Sequence, residues 1–188
     1  MDSMFELWRK RNPYWEKKYE DSIIKRYTDY GVGAGRLGED KGKIYGAGFE
    51  IFIIAFFIGL YFNKKKPLSK ETDKKKTFGQ PIMYWGNAEV RNMRTQYGDL
   101  MRYVFAALVA KTDIDVIGLD KGEIEAKDVV SQLMKTMEEY ANYGFHHMSE
   151  RLDDDPNCFF KEGAFLDEFL QFITPERDSE DDSPESLD

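Results

Sequence analysis

The chain has two histidines, and they are adjacent: His146 and His147. Glu150 follows them by four and three residues, which puts a carboxylate one helical turn from an imidazole. Such a pair can relay a proton or ligate a metal, and residues 153–155, ending at Asp155, add three more carboxylates. Adjacent side chains on a helix point about 100° apart, however, so the two imidazoles cannot readily share one ion. The simpler expectation is a polar pair near a helix end, where the macrodipole favours a cation. An enzyme with a site around His146, His147, Glu150 and Asp155 stays as an alternative, and no metal is expected. Cys158 lies in Pro-Asn-Cys-Phe-Phe with no histidine at a motif spacing, and reads as a small core residue rather than a nucleophile.

Two other stretches imitate binding motifs. Gly33-Ala34-Gly35-Arg36-Leu37-Gly38 satisfies the dinucleotide fingerprint by letter. That motif works only between a strand and an opening helix, where free N–H groups meet a pyrophosphate. Here the preceding segment is charged and helical in pattern, and Glu39 and Asp40 would repel an anion. The following Gly38-Glu39-Asp40-Lys41-Gly42-Lys43 is one residue short of a phosphate loop and lacks its Ser or Thr. The stretch reads as a loop in which Arg36, Lys41 and Lys43 could still touch phosphate. Residues 113–118 begin like a calcium loop, but Ile117 and Ile124 occupy ligand positions, so turn formation and capping are expected instead.

The strongest electrostatic feature is residues 63–76, with seven lysines against Glu71 and Asp73. Lys64, Lys65, Lys66, Lys74, Lys75 and Lys76 are the candidates for nucleic-acid contact, since lysines beside aromatics can grip phosphate and stack on bases. Arg9–Arg11 and Lys25–Arg26 form smaller basic faces. The net charge of the whole chain is −8, which argues against gross attraction to nucleic acid or an anionic membrane but leaves room for a local basic face. A lone cysteine, and no apolar run after Arg9–Arg11 to act as a secretory leader, predict a reducing, cytoplasmic location.

These side chains need a scaffold, and the sequence predicts an all-α one: five to six helices around a central apolar helix. Residues 12–30 carry Tyr14, Trp15, Tyr19, Ile23, Ile24 and Tyr27 at three- and four-residue steps, with Asn12 and Pro13 placed to start an amphipathic helix. Residues 45–62, YGAGFEIFIIAFFIGLYF, are apolar on every face, so this helix should be central. Its strictly apolar run, 51–62, is shorter than the roughly 20 residues a membrane span needs, so membrane anchoring is the lesser alternative. Glu50 at its start should be exposed, capping or paired. Residues 63–76 should be an irregular basic loop and 78–82 a turn, followed by a helical or irregular segment to about 96. Helices are expected at 99–111, 125–152 and 161–173, the first two enclosing the central one, and Gly144 marks where the second can bend. No alternating run predicts a strand. Residues 1–174 then make one domain. Residues 175–188 make a disordered acidic tail, because seven carboxylates in 176–188 against Arg177 cannot offset the ordering entropy.

In element order this chain resembles DndE, the small helical accessory protein of bacterial DNA phosphorothioation systems. The resemblance covers residues 44–152 and is carried by GFEIFIIAFFIGLYF, the Pro-containing charged loop after it, FGQPI, YVFAALVAK and EEYANYGFHHMSERL. It implies DNA association through a lysine-rich surface, here the lysines at 64–66 and 74–76. This chain departs from the family in being longer, acidic overall and tailed. The expected function is a non-enzymatic accessory or interaction protein in a DNA-linked bacterial system. Its expected partners are other proteins, including copies of itself, and DNA. No cofactor is expected.

Overall fold

The structure, a computed structural model, describes residues 3–31, 45–86, 99–161 and 163–170. It is predominantly helical. A short helix α1, Met4–Arg9, opens the fold: Ser3 accepts the Glu6 N–H at 3.2 Å, and Trp8 enters the core. Strand β1, Tyr14–Glu16, leads into a helical stretch of changing pitch, a 3-10 turn at Lys17–Tyr19, a π-turn at Glu20–Ile24 and helix α2, Lys25–Tyr27. Helix α3, Gly48–Tyr61, is followed by the lysine segment, a 3-10 turn at Thr72–Lys74 and strand β2, Lys75–Thr77. Helix α4 is Leu100–Lys111, α5 is Val116–Asp120, α6 is Ala126–Asp154 and α7 is Ala164–Leu170.

The core is the crossing of α3 with α6. Ile51, Phe52, Ala55, Phe56 and Ile58 of α3 are fully buried, and so are Leu133, Met137, Ala141, Phe145 and Met148 of α6. Each buried Ile or Phe contributes about 1.5–3 kcal/mol of transfer free energy. The two backbones approach closely because a glycine sits on each side. An added Cβ at Gly59 would strike the Tyr140 carbonyl, and one at Gly144 would strike the Ala55 carbonyl. Gly144 is therefore a contact residue, and α6 continues past it to Asp154. Aromatic rings line α3 as well: Phe52 meets Phe145 of α6 and, beyond the crossing, Phe78 and Trp85, and Phe49 stacks on Trp85 at 5.3 Å.

Glu50 meets the expectation for this helix, since its Oε2 accepts the Gly46 N–H at 3.1 Å. At 14 residues, α3 is about 21 Å long, well under the roughly 30 Å of a bilayer core. Among the described residues no helix is long and apolar enough to cross a membrane.

Several expectations need correction. The fold is not wholly α: β1 and β2 pair antiparallel, with Tyr14 opposite Thr77 and Glu16 opposite Lys75. Residues 12–30 are accordingly not one amphipathic helix; the helical stretch starts only at Lys17, so Asn12 and Pro13 do not begin it. The partner strand lies some 60 residues on, and local periodicity cannot register such a non-local pairing. Residues 4–9 form an unexpected helix, and 112–122 hold α5 rather than a plain connection. There Asp115 Oδ1 accepts the Gly118 N–H at 2.8 Å, the capping role expected in place of calcium binding. Helix α4 packs on α6 and, through Phe105, on Phe5 and Trp8 of α1, rather than chiefly on α3. It buries Met101, Val104 and Leu108 and turns Tyr103 and Val109 outward. The glycine stretch 32–44, with Arg36, Lys41 and Lys43, lies outside the described residues, as do 87–98 and the acidic tail.

Candidate nucleic-acid interface

The lysine segment is a strap tied across α6, not a free loop. It starts where Asn63 takes a left-handed φ of 50°, a conformation asparagine tolerates better than most residues. Asn63 Oδ1 then accepts from Tyr140 Oη at 3.2 Å and from Lys111 Nζ at 3.0 Å. The Lys66 N–H donates to the Glu139 carbonyl at 3.0 Å, and Asn142 Nδ2 donates to the carbonyls of Lys66 and Pro67 at 3.1 Å each. Further on, the Ser69 N–H donates to Glu16 Oε1 at 2.7 Å. Burial works to raise the Glu16 carboxyl's pKa, but Lys18 and the Ser69 N–H outweigh it and hold the group below the ordinary value, hence charged. Backbone anchors of this kind fix the strap while leaving its lysine side chains outside.

The six nominated lysines described here fall into two groups. Lys65 Nζ lies 5.0 Å from the Tyr140 ring and Lys64 Nζ 5.7 Å from the Tyr143 ring. Both ammonium groups are exposed, and among the described residues neither has an acidic partner. The tyrosine faces hold them by cation–π attraction, worth about 0.5–1 kcal/mol at exposed sites, without neutralising them. Lys66 follows, half-buried. In the second cluster Lys74 pairs with Glu71 at 2.7 Å and Lys76 with Glu20 at 2.7 Å, while Lys75 lies over the Tyr14 ring as Lys64 and Lys65 lie over theirs. Hydrogen bonding from Lys76, then Lys25, keeps the Glu20 carboxyl below its ordinary pKa.

Pairing of β1 with β2 has a further consequence. It brings Lys17 and Lys18 opposite Ser69 and Lys74, around a shallow cleft that also contains Glu16 and Asp73. Lys17 and Lys18 were missing from the sequence-derived candidates. So were Asn142 and Glu139, which anchor the strap. No signal in the sequence places them there, because each meets the strap across more than 50 residues of chain.

The histidines separate. His146 Nε2 stands 3.5 Å from Glu150 Oε1 on the surface, whereas His147 Nε2 lies 2.8 Å from Glu168 Oε2 of α7. Arg151 Nε takes the other oxygen, Oε1, at 2.9 Å. Burial pushes the Glu168 carboxyl's pKa up, but His147 and Arg151 outweigh it and hold the group below its ordinary value. His146 and Glu150 thus stay together one turn apart while His147 turns to Glu168, and His147 and Arg151, facing Glu168, clasp α7 to α6. Among the described residues no cluster of three or more His, Cys, Asp and Glu is placed to hold a metal ion. Cys158 is buried, as expected, and burial raises its thiol pKa away from thiolate reactivity.

No family model, curated protein or solved structure matches this chain. The arrangement of its own side chains therefore carries the functional reading.

Proposed function

We propose that this chain is a non-enzymatic helical accessory protein that contacts nucleic acid through the lysine strap. One observation carries the reading: the strap is tied to α6 by hydrogen bonds to its backbone, yet presents Lys64 and Lys65 exposed over tyrosine rings and, among the described residues, without an acidic partner. Fixed cations against a rigid helix meet a phosphate backbone at little entropic cost, since the strap is ordered beforehand. Lys17 lies beyond the strap along the cleft beside β1 and β2, where Lys18 is paired with Glu16. The resemblance in element order to DndE, in the stretch 44–152, supports a place in a DNA-linked bacterial system. Protein partners, further copies included, belong to the same reading, favoured by the outward Tyr103 and Val109 of α4.

Fluorescence anisotropy with a short duplex, titrated at several salt concentrations, tests it. Lys64→Ala with Lys65→Ala should weaken binding irrespective of sequence and flatten the slope of log affinity against log salt by about two units, roughly one per lost phosphate contact. A duplex that does not bind even at low salt would overturn the proposal.

A further inference from the structure

We propose that the acidic C-terminal segment, residues 176–188, docks on the lysine strap of its own chain and competes there with nucleic acid. The competition rests on the function proposed above; the docking does not. Charge and position both point to it. Residues 176–188 carry seven carboxylates against Arg177, and residues 63–76 carry seven lysines against two carboxylates.

Helix α7 delivers the segment to this place. Its Phe169 ring meets Tyr61, the last residue of α3, at 5.5 Å. Phe62 follows Tyr61 and lies 6.2 Å from the Tyr143 ring, over which Lys64 is held. The described chain thus stops at Leu170, one residue past a ring that touches the root of the strap. From Leu170 to Glu176 the chain can span up to about 20 Å, several times the 5.5 Å that separates the Phe169 and Tyr61 rings at the root of the strap. The clasp of Glu168 by His147 and Arg151 fixes that starting point. A ligand tethered so closely acts at a millimolar effective concentration, so even a weak contact occupies the strap. Its attraction is one of exposed charges, and salt screens it over about 10 Å at 0.1 M.

The test uses the full chain and a carbodiimide, which joins a carboxylate to an amine only when they touch. At low salt, isopeptide links should run from residues 176–188 to Lys64, Lys65 and Lys66, and vanish near about 0.5 M salt. A variant of the same chain with Glu176→Gln, Asp178→Asn, Glu180→Gln, Asp181→Asn, Asp182→Asn, Glu185→Gln and Asp188→Asn should lose these links. It should also bind a short duplex about three- to tenfold more tightly at low salt, with the gain fading as salt rises. Links scattered over all exposed lysines, or none, overturn the docking. Links to the strap with unchanged duplex affinity in the variant overturn the competition. Links to the strap with no duplex binding by either chain support the docking and sink the nucleic-acid reading instead.

Discussion

The glycine pair at the α3–α6 crossing yields the sharpest stability prediction. At Gly59 a methyl group would meet the Tyr140 carbonyl, and at Gly144 it would meet the Ala55 carbonyl. Neither obstacle is a side chain that can rotate away, so the helices must separate. Overpacking a close-packed core costs about 1–3 kcal/mol, and a backbone obstacle places each substitution at the upper end, near 3 kcal/mol. Replacing glycine by alanine inside a helix returns about 1 kcal/mol of propensity. Gly59→Ala and Gly144→Ala should each therefore lower stability by about 2 kcal/mol. For a chain of this size that is a fall of roughly 4–8 °C in Tm. One separation of the helices relieves both clashes, so the double variant should cost less than the sum of the two. Urea denaturation followed by circular dichroism measures all three, with a shifted midpoint and an unchanged m-value as the signature. If either single substitution stabilises the protein by the propensity gain alone, the close crossing of α3 and α6 is wrong.

Other substitutions probe the strap and the clasp. Asn142→Ala removes both side-chain bonds to the strap carbonyls and should cost about 1–2 kcal/mol, with faster hydrogen exchange at the Lys66 N–H than at the α6 core. Glu168→Gln should loosen α7 by about 1–2 kcal/mol, discounted from a fully buried pair because Arg151 is 43 % exposed; exchange rates in α7 report it. Because the folded Glu168 pKa is depressed, its contribution is full above the unfolded carboxyl value, near 4.3, and drains away as pH falls through the lower folded value. Glu138 runs the other way: burial raises its pKa although it accepts the Tyr14 N–H at 2.9 Å. The charged form thus costs folding energy as pH rises through the folded value. Glu138→Gln, which keeps an acceptor, should leave stability at neutral pH unchanged or improve it by under about 1 kcal/mol in thermal unfolding.

What the sequence made legible were the elements whose apolar pattern is local. The stripe from Val129 to Met148 and the all-round apolar run of α3 became the two crossing helices, because burial of a helix face leaves its period in the chain. The ribbon escaped because Lys75 and Lys76 look like any solvated charges until Tyr14–Glu16 supplies their partner. Pairing disguised residues 12–30 as well: Trp15 and Tyr19 are buried as a helical stripe would bury them, but by way of a strand and a 3-10 turn. At the site, the lysine cluster could be read directly, whereas its sorting into compensated and uncompensated cations depends on Glu20, Glu71, Tyr140 and Tyr143, which only the fold brings near. For the histidines, proximity in sequence favoured Glu150; the fold gave His147 to Glu168, 21 residues on.

Distance along the chain between the crossing helices also sets a problem of timing. Gly59 packs against Tyr140, 81 residues later, and the most apolar segment is the earlier of the two. At a synthesis rate of about 5–20 residues per second, α3 is complete for about 4–16 s before its binding face on α6 exists. During that interval Ile51, Phe56 and Ile58 lack the α6 surface that buries them. The nascent chain, more than the finished protein, is where this fold should depend on a chaperone, and where shortening the stretch between α3 and α6 would help it most.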